Sequence, residues 1–154
     1  MAGAGVIEPA TEAERDWCAR LMASSEPWTK LERTFEQCRA PLSRPEYLLW
    51  VTHEADQPIG FLLAHPRGAM GSPYIASIAV AHTHRGKNIG TQLVTHAERF
   101  FADEARHIFL CVSSFNSRAR RLYERLGYET IGELRDYAID GASEVLMHKC
   151  LVKR

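Results

Sequence analysis

The sequence predicts a single α/β domain, residues 1–154, with about seven strands and about four helices. Three observations carry that expectation. Short apolar runs of β character alternate with segments of helical period. Thr-x-x-Glu boxes stand ahead of the first helical segments. No repeat, low-complexity tract or linker divides the chain.

The elements follow in order. "VIEPAT" reads as a short strand ending at Pro9, after which Thr11 and Glu14 form a capping box for a helix to about Ala23. "SSEPW" is a turn. Thr29 and Glu32 then offer a second box, for a helix carrying Leu31, Phe35 and Cys38 until Pro41 stops it. "EYLLWVTHEADQPIGFLLAHPRG" holds two β-type runs around the turn "EADQP", a hairpin signal. The loop "PRGAMGSP" precedes a third run, Tyr74 to Val80. From Asn88 to about Ala105, Ile89, Leu93, Val94, Ala97, Phe100 and Phe101 recur at three- and four-residue steps and mark one face of a helix. "HIFLCVSS" is a buried strand. Asn116 to Leu126 is a helix with Ala119, Leu122, Tyr123 and Leu126 on one face and Gly127 as its C-terminal cap. Two closing strands flank a loop at Asp140 and Gly141.

At 154 residues the chain is long enough to bury about two-thirds of its unfolded surface. Apolar residues make up 45% and charged ones 25%, the balance of a globular protein rather than a disordered or membrane chain. No apolar run approaches the roughly 20 residues that span a bilayer, and "MAGAGVIEPAT" lacks the basic and then hydrophobic halves of a signal peptide. The expectation is a cytoplasmic protein without a membrane partner. Nineteen basic and nineteen acidic side chains cancel, which removes the field that would hold a nucleic acid. Cys18, Cys38, Cys111 and Cys150 form no C-x-x-C pair and read as reduced structural thiols. His82 and His84 form an H-x-H, yet no third ligand stands at a suggestive spacing, so no metal is expected.

The stretch "HRGKNIGTQL", His84 to Leu93, carries the most chemistry. A strand that turns directly into a helix leaves several backbone N–H groups with no partner. Together with the positive end of the helix dipole they form an anion site, and Gly86 and Gly90 let an oxygen approach without a Cβ in the way. Arg85 and Lys87 add cations, so a pyrophosphate is the natural guest. Neither G-x-x-x-x-G-K-[ST] nor G-x-G-x-x-G is present, which sets aside the two familiar nucleotide loops. Taken alone, the stretch reads equally well as a helix start capped by water.

These residues resemble the pyrophosphate motif Q/R-x-x-G-x-G/A of the GNAT superfamily of acetyl-CoA-dependent N-acetyltransferases, with Arg85 first and Gly90 last. Asn88 stands at the central glycine, and Asn is the non-glycine residue that most readily accepts a left-handed backbone. A second resemblance is the pattern N-x-x-A-x-x-L-Y-E-x-x-G-[FY], filled by Asn116, Ala119, Leu122, Tyr123, Glu124, Gly127 and Tyr128. The likeness runs in order along nearly the whole chain. It implies a mixed, mostly antiparallel central sheet with splayed central strands.

The resemblance also implies roles. Ile78, Ala79 and Val80 would offer main-chain bonds to the pantetheine arm of acetyl-CoA, as a sheet edge does to a peptide. Arg85, Gly86, Lys87, Asn88, Ile89, Gly90 and Thr91 would hold its pyrophosphate, with Asn116 contacting pantetheine or ordering the helix start. Tyr123 matches the general acid that protonates the departing thiolate. Acetyl-CoA is the implied cosubstrate and a primary amine, in a small molecule or a peptide, the acceptor. A homodimer is compatible with the sequence. The competing reading is a non-catalytic module that binds acyl-CoA and has no use for Tyr123. No base stands out: Ser77, Tyr74, Glu26 and His65 are equally compatible with a water chain. Asp136, Asp140 and Glu144 near the last loop, and Trp28 in the first, are candidates to shape the acceptor pocket. Cys111 reads as a buried, inert thiol in mid-strand, against a covalent route.

Overall fold

A computed structural model of the chain describes residues 5–151. Residues 1–4, where the stretch read for a leader begins, and 152–154, at the end of the expected domain, lie outside the described residues. The elements are β1 (Ile7–Pro9), α1 (Glu12–Ala23), α2 (Phe35–Leu42), β2 (Leu48–Glu54), β3 (Gln57–Ala69), β4 (Ser72–Val80), α3 (Ile89–Phe101), β5 (His107–Ser113), α4 (Ser117–Arg125), β6 (Glu129–Arg135) and β7 (Ser143–Cys150), with a 3₁₀ turn at His82–His84. The strands form one sheet in the order β1-β2-β3-β4-β5-β7-β6, and every neighbouring pair is antiparallel except β4 with β5. Among the described residues no helix is long and apolar enough to cross a membrane.

Local chemistry sets most boundaries. The Thr11–Glu14 box caps α1 as expected, with Thr11 N–H donating to Glu14 Oε1 at 2.9 Å. The second helix corrects its expectation. Thr29 and Glu32 lie in a run of turns, and Glu32 at φ 56° breaks any helix there. The box that works is Thr34–Gln37, five residues on, and α2 carries Pro41 in its last turn instead of stopping before it. "PRGAMGSP" is likewise not a loop. The β3 strand continues to Ala69, and a two-residue turn of left-handed Met70 and Gly71 joins it to Ser72.

Period-2 alternation sorts the strand residues between two cores. Trp50, Leu62, Ala64, Ile108, Leu110, Val112, Val145 and Met147 pack under α3 and α4. Leu49, Val51, Phe61 and Leu63 pack under α1 and α2. In β4 the alternation slips: Ile75 faces α3 and Ala79 faces α1, although both have odd numbers. The cause is a bulge. Leu63 pairs Ser77 and Ala64 pairs Ile75, so Ala76 is the extra residue. Pairing of β4 with β5 is limited to Tyr74–Phe109 and Ile75–Leu110. The strands therefore part at the residue where the bulge begins, and the edge of β4 from Ala76 to Val80 faces no strand.

Gly68 shows how tightly the far end of β3 is built. A Cβ there would lie 2.8 Å from Tyr74 Cβ and 2.9 Å from His65 Cβ, atoms too close to the main chain to swing aside. Gly68→Ala is expected to lower stability by about 1–3 kcal/mol in urea unfolding; an unchanged midpoint would show that the hairpin end yields freely.

Candidate active site

The split sheet opens on a cleft of about 620 Å³ that runs from the start of α3 to the start of α4. The turn at its mouth leads into α3 without a side-chain cap. Asn88 is the N-cap of α3 in the left-handed conformation, φ 63°, and makes no side-chain capping bond. Gly86 is left-handed too, φ 79°. The first main-chain bond of the helix is Gln92 N–H to Asn88 O, and from Asn88 to Thr91 no main-chain N–H meets an acceptor among the described residues. The other helices differ. α1 and α2 have capping boxes, and at α4 the Asn116 Oδ1 accepts from Ala119 N–H at 3.3 Å. No acid stands in the first turn of α3 to occupy the positive end of its dipole.

The turn is anchored from outside. His84 pairs with Glu54 at the β2–β3 turn, and His82 Nε2 lies 3.4 Å from Ser25 Oγ in the segment after α1. The two histidines of the H-x-H thus engage different partners. Among the described residues no group of three His, Cys, Asp or Glu side chains could hold a metal ion.

The structure brings most of the sequence-derived candidates to this cleft. Ile78, Ala79, Val80, Arg85, Gly86, Asn88, Ile89, Gly90, Thr91, Asn116 and Tyr123 all line it. Lys87, exposed on the same turn, does not. Four further lining residues were not among the candidates expected from the sequence: Phe115, Ser117, Arg118 and Arg125. A signal for two of them existed, since Arg118, Leu122 and Arg125 share a helix face at steps of four and three.

A second, smaller space of about 160 Å³ adjoins the first, and both are lined by Glu26, Ile78, Asn116, Ala119 and Tyr123. Tyr123 therefore stands where the two meet. Its ring is 5% exposed and packs edge-on against Tyr128 at 5.9 Å, an approach made by the chain reversal at Gly127, φ 96°. Burial alone pushes its phenol above the ordinary value, so the group stays protonated and neutral. Tyr74, Ser77, Trp28, Cys111 and Glu144 line the smaller space. Burial, with Cys111 and the Glu144 carboxylate nearby, raises the Tyr74 phenol as well. Cys111 is half-buried rather than sealed in the core, and burial raises its thiol, reinforced by Glu144. His65 lies outside both spaces, packed edge-on against Tyr47. Asp136 lies outside them as well and accepts from Gly141 N–H at 2.7 Å to close the last loop; Asp140 is exposed there.

A mixed sheet parted at one parallel pair, with an uncapped helix start at the mouth of the gap, defines a class of α/β protein whose cleft runs from a helix N-terminus along an open strand edge. The chain belongs to the acetyltransferase (GNAT) family, which it matches over residues 11–128. It is 37% identical over 95 residues to an uncharacterised N-acetyltransferase of Methanocaldococcus jannaschii, covering 59% of this chain and 58% of that one. It is 34% identical over 76 residues to an N-alpha-acetyltransferase of Sulfurisphaera tokodaii, covering 48% and 46%. The chain thus matches less than two-thirds of the length of these relatives. Among solved structures, an aminoglycoside 6'-N-acetyltransferase complexed with coenzyme A superposes with a TM-score of 0.78 at 20% identity, over 97% of this chain and 98% of the other. The ribosomal-protein-S18-alanine N-acetyltransferase of Escherichia coli gives 0.81 at 14% identity, over 97% and 96%. Both likenesses are of fold.

Proposed function

We propose that this chain is a cytoplasmic N-acetyltransferase that moves an acetyl group from acetyl-CoA to a primary amine by direct attack. The observation that carries the reading is the run of partnerless main-chain N–H groups from Asn88 to Thr91, opening onto the unpaired edge of β4. Those donors suit a diphosphate. The β4 edge from Ala76 to Val80 suits an amide-bearing arm in the way an edge strand suits a peptide. Membership of the family and the fold likeness to a coenzyme A complex support the same assignment.

The thioester supplies an activated acetyl carbon, and the remaining work falls to the chain. An amine enters from the smaller space, loses a proton to become nucleophilic, and forms a C–N bond as the C–S bond breaks. Tyr123, neutral at the junction, gives its proton to the departing sulfur and regains one from the acylated nitrogen through solvent. A main-chain N–H of β4 polarises the carbonyl, a contribution of about 10²–10³ in rate. Of the four bases considered, Glu26 is the carboxylate common to both spaces, whereas Tyr74, raised by burial, is poorly suited to accept a proton. The raised Cys111 thiol argues against a covalent acetyl-enzyme.

The test is acetyl-CoA consumption against a panel of amino acids, polyamines, aminoglycosides and peptide N-termini. Free CoA is expected to appear only with an acceptor. Intact-mass analysis after acetyl-CoA alone is expected to find no added acetyl group; acetylated Cys111 would overturn direct transfer. Coenzyme A is also expected to raise the melting temperature where ATP does not.

A further inference from the structure

Charge is unequally divided between the two spaces. The larger is lined by His84, Arg85, Arg118 and Arg125 against the single carboxylate of Glu26. The smaller is lined by Glu26 and Glu144, with no Lys, Arg or His in its wall. Lys30, in the segment after α1, has its Nζ 4.4 Å from the centre of the Phe115 ring, and Phe115 lines the larger space. Glu144 makes no ion pair or hydrogen bond through its side chain with any described residue.

A second observation lies beside that carboxylate. Ser113 is 3% exposed, and its buried Oγ has no hydrogen-bond partner. A buried hydroxyl left unpaired is uncommon in native structures and calls for an explanation, such as a group that is absent. Ser113 and Glu144 are direct partners across β5 and β7, so their side chains leave the sheet on the same side. Both line the smaller space. A carboxylate and an idle hydroxyl on neighbouring strands form an acceptor pair suited to an ammonium N–H donor.

Position separates this pair from the reacting centre. Glu26 and Tyr123 belong to both spaces, whereas Ser113 and Glu144 belong to the smaller one alone. The same wall also offers Trp28, Leu31 and Ile75, side chains suited to methylene groups. The volume is that of about five water molecules, which suits a short chain. Resting on the acetyltransferase reading above, we propose that Glu144 and Ser113 form a subsite for a second ammonium group, and that the acceptor is a short aliphatic diamine held by one nitrogen while the other is acetylated. A peptide N-terminus carries its ammonium on the reacting nitrogen and brings no second cation for Glu144.

The experiment compares 1,4-diaminobutane with butylamine as acceptors for the full chain at saturating acetyl-CoA. Both amines are protonated alike near neutral pH, so the comparison isolates the second nitrogen. The diamine is expected to have a kcat/KM at least about tenfold higher, carried by KM. In Glu144→Gln, an isosteric change, the ratio of the two kcat/KM values is expected to fall close to one. In Ser113→Ala it is expected to fall part of the way. Equal use of the two amines, or a ratio that Glu144→Gln leaves in place, overturns the subsite while acetylation of either amine upholds the acetyltransferase reading. Turnover of peptide N-termini alone does the same. Binding is followed separately by thermal shift: 1,4-diaminobutane is expected to raise the melting temperature more than butylamine does, and Glu144→Gln to abolish the difference. Turnover of no amine would defeat the acetyltransferase reading, and the differential shift would then decide the subsite by its presence or absence.

Discussion

Tyr123→Phe is expected to bind coenzyme A as the unaltered chain does and to transfer acetyl groups about 10²–10⁴ times more slowly. The substitution removes only the hydroxyl. The ring stays packed on Tyr128, and Asn116 still caps α4, so the cleft keeps its wall. The donor lost is a phenol that burial holds neutral. Burial also makes a proton harder to give up, but the departing thiolate sits in the same dry junction and is made more basic by the same effect. The pH profile carries the sign. Ionisation of Tyr123 would abolish the acid, and its pKa lies above the ordinary value near 10, so no falling limb from this group is expected below about pH 10. Isothermal titration with coenzyme A and a thiol-release assay measure the two halves. Full transfer activity in the phenylalanine variant would remove Tyr123 from the reaction.

Asn88→Asp is expected to move stability and ligand affinity in opposite directions. Aspartate matches asparagine in size and also tolerates the left-handed backbone found at this position, φ 63°. Without ligand, a negative charge at the start of α3 meets unpaired N–H groups and the positive end of the dipole, worth about 0.3–1 kcal/mol in stability. With ligand, the same charge faces the diphosphate. Two like charges at about 4 Å and an effective dielectric near 20 repel by about 4 kcal/mol, so affinity for coenzyme A is expected to fall by about 10² or more. Added salt recovers part of the loss. A melting curve and a titration on one sample suffice. Were both to rise together, the turn would be an ordinary cap and not an anion site.

Much of this was legible beforehand because the signals are local. A capping box acts within one helical turn, so Thr11 and Glu14 announce α1 without help from the rest of the chain. Gly127 ends α4 for an equally local reason, the absence of a Cβ at φ 96°. The same logic misplaced α2. Two boxes of the same grammar, Thr29–Glu32 and Thr34–Gln37, stand five residues apart, and packing of Phe35, Cys38 and Leu42 against α1 selects the second. The loop expected at "PRGAMGSP" failed similarly: Gly and Pro signal a turn, but β3 runs on irregularly between the pairs His65–Tyr74 and Ala69–Ser72, and only Met70 and Gly71 form the turn.

The sequence by itself determined the order of the elements, most helix caps, and the run of backbone around Asn88 and Gly90 that starts α3 with open donors. These depend on residues a few positions apart, where dihedral preferences and capping bonds act directly. Only the tertiary structure decided that β4 bulges at Ala76 and parts from β5 just there, that Glu26 reaches the cleft from the segment after α1, and that Ser113 lies opposite Glu144. Those contacts join residues dozens of positions apart and follow from strand register, and a slip of one residue would send each side chain to the other face of the sheet.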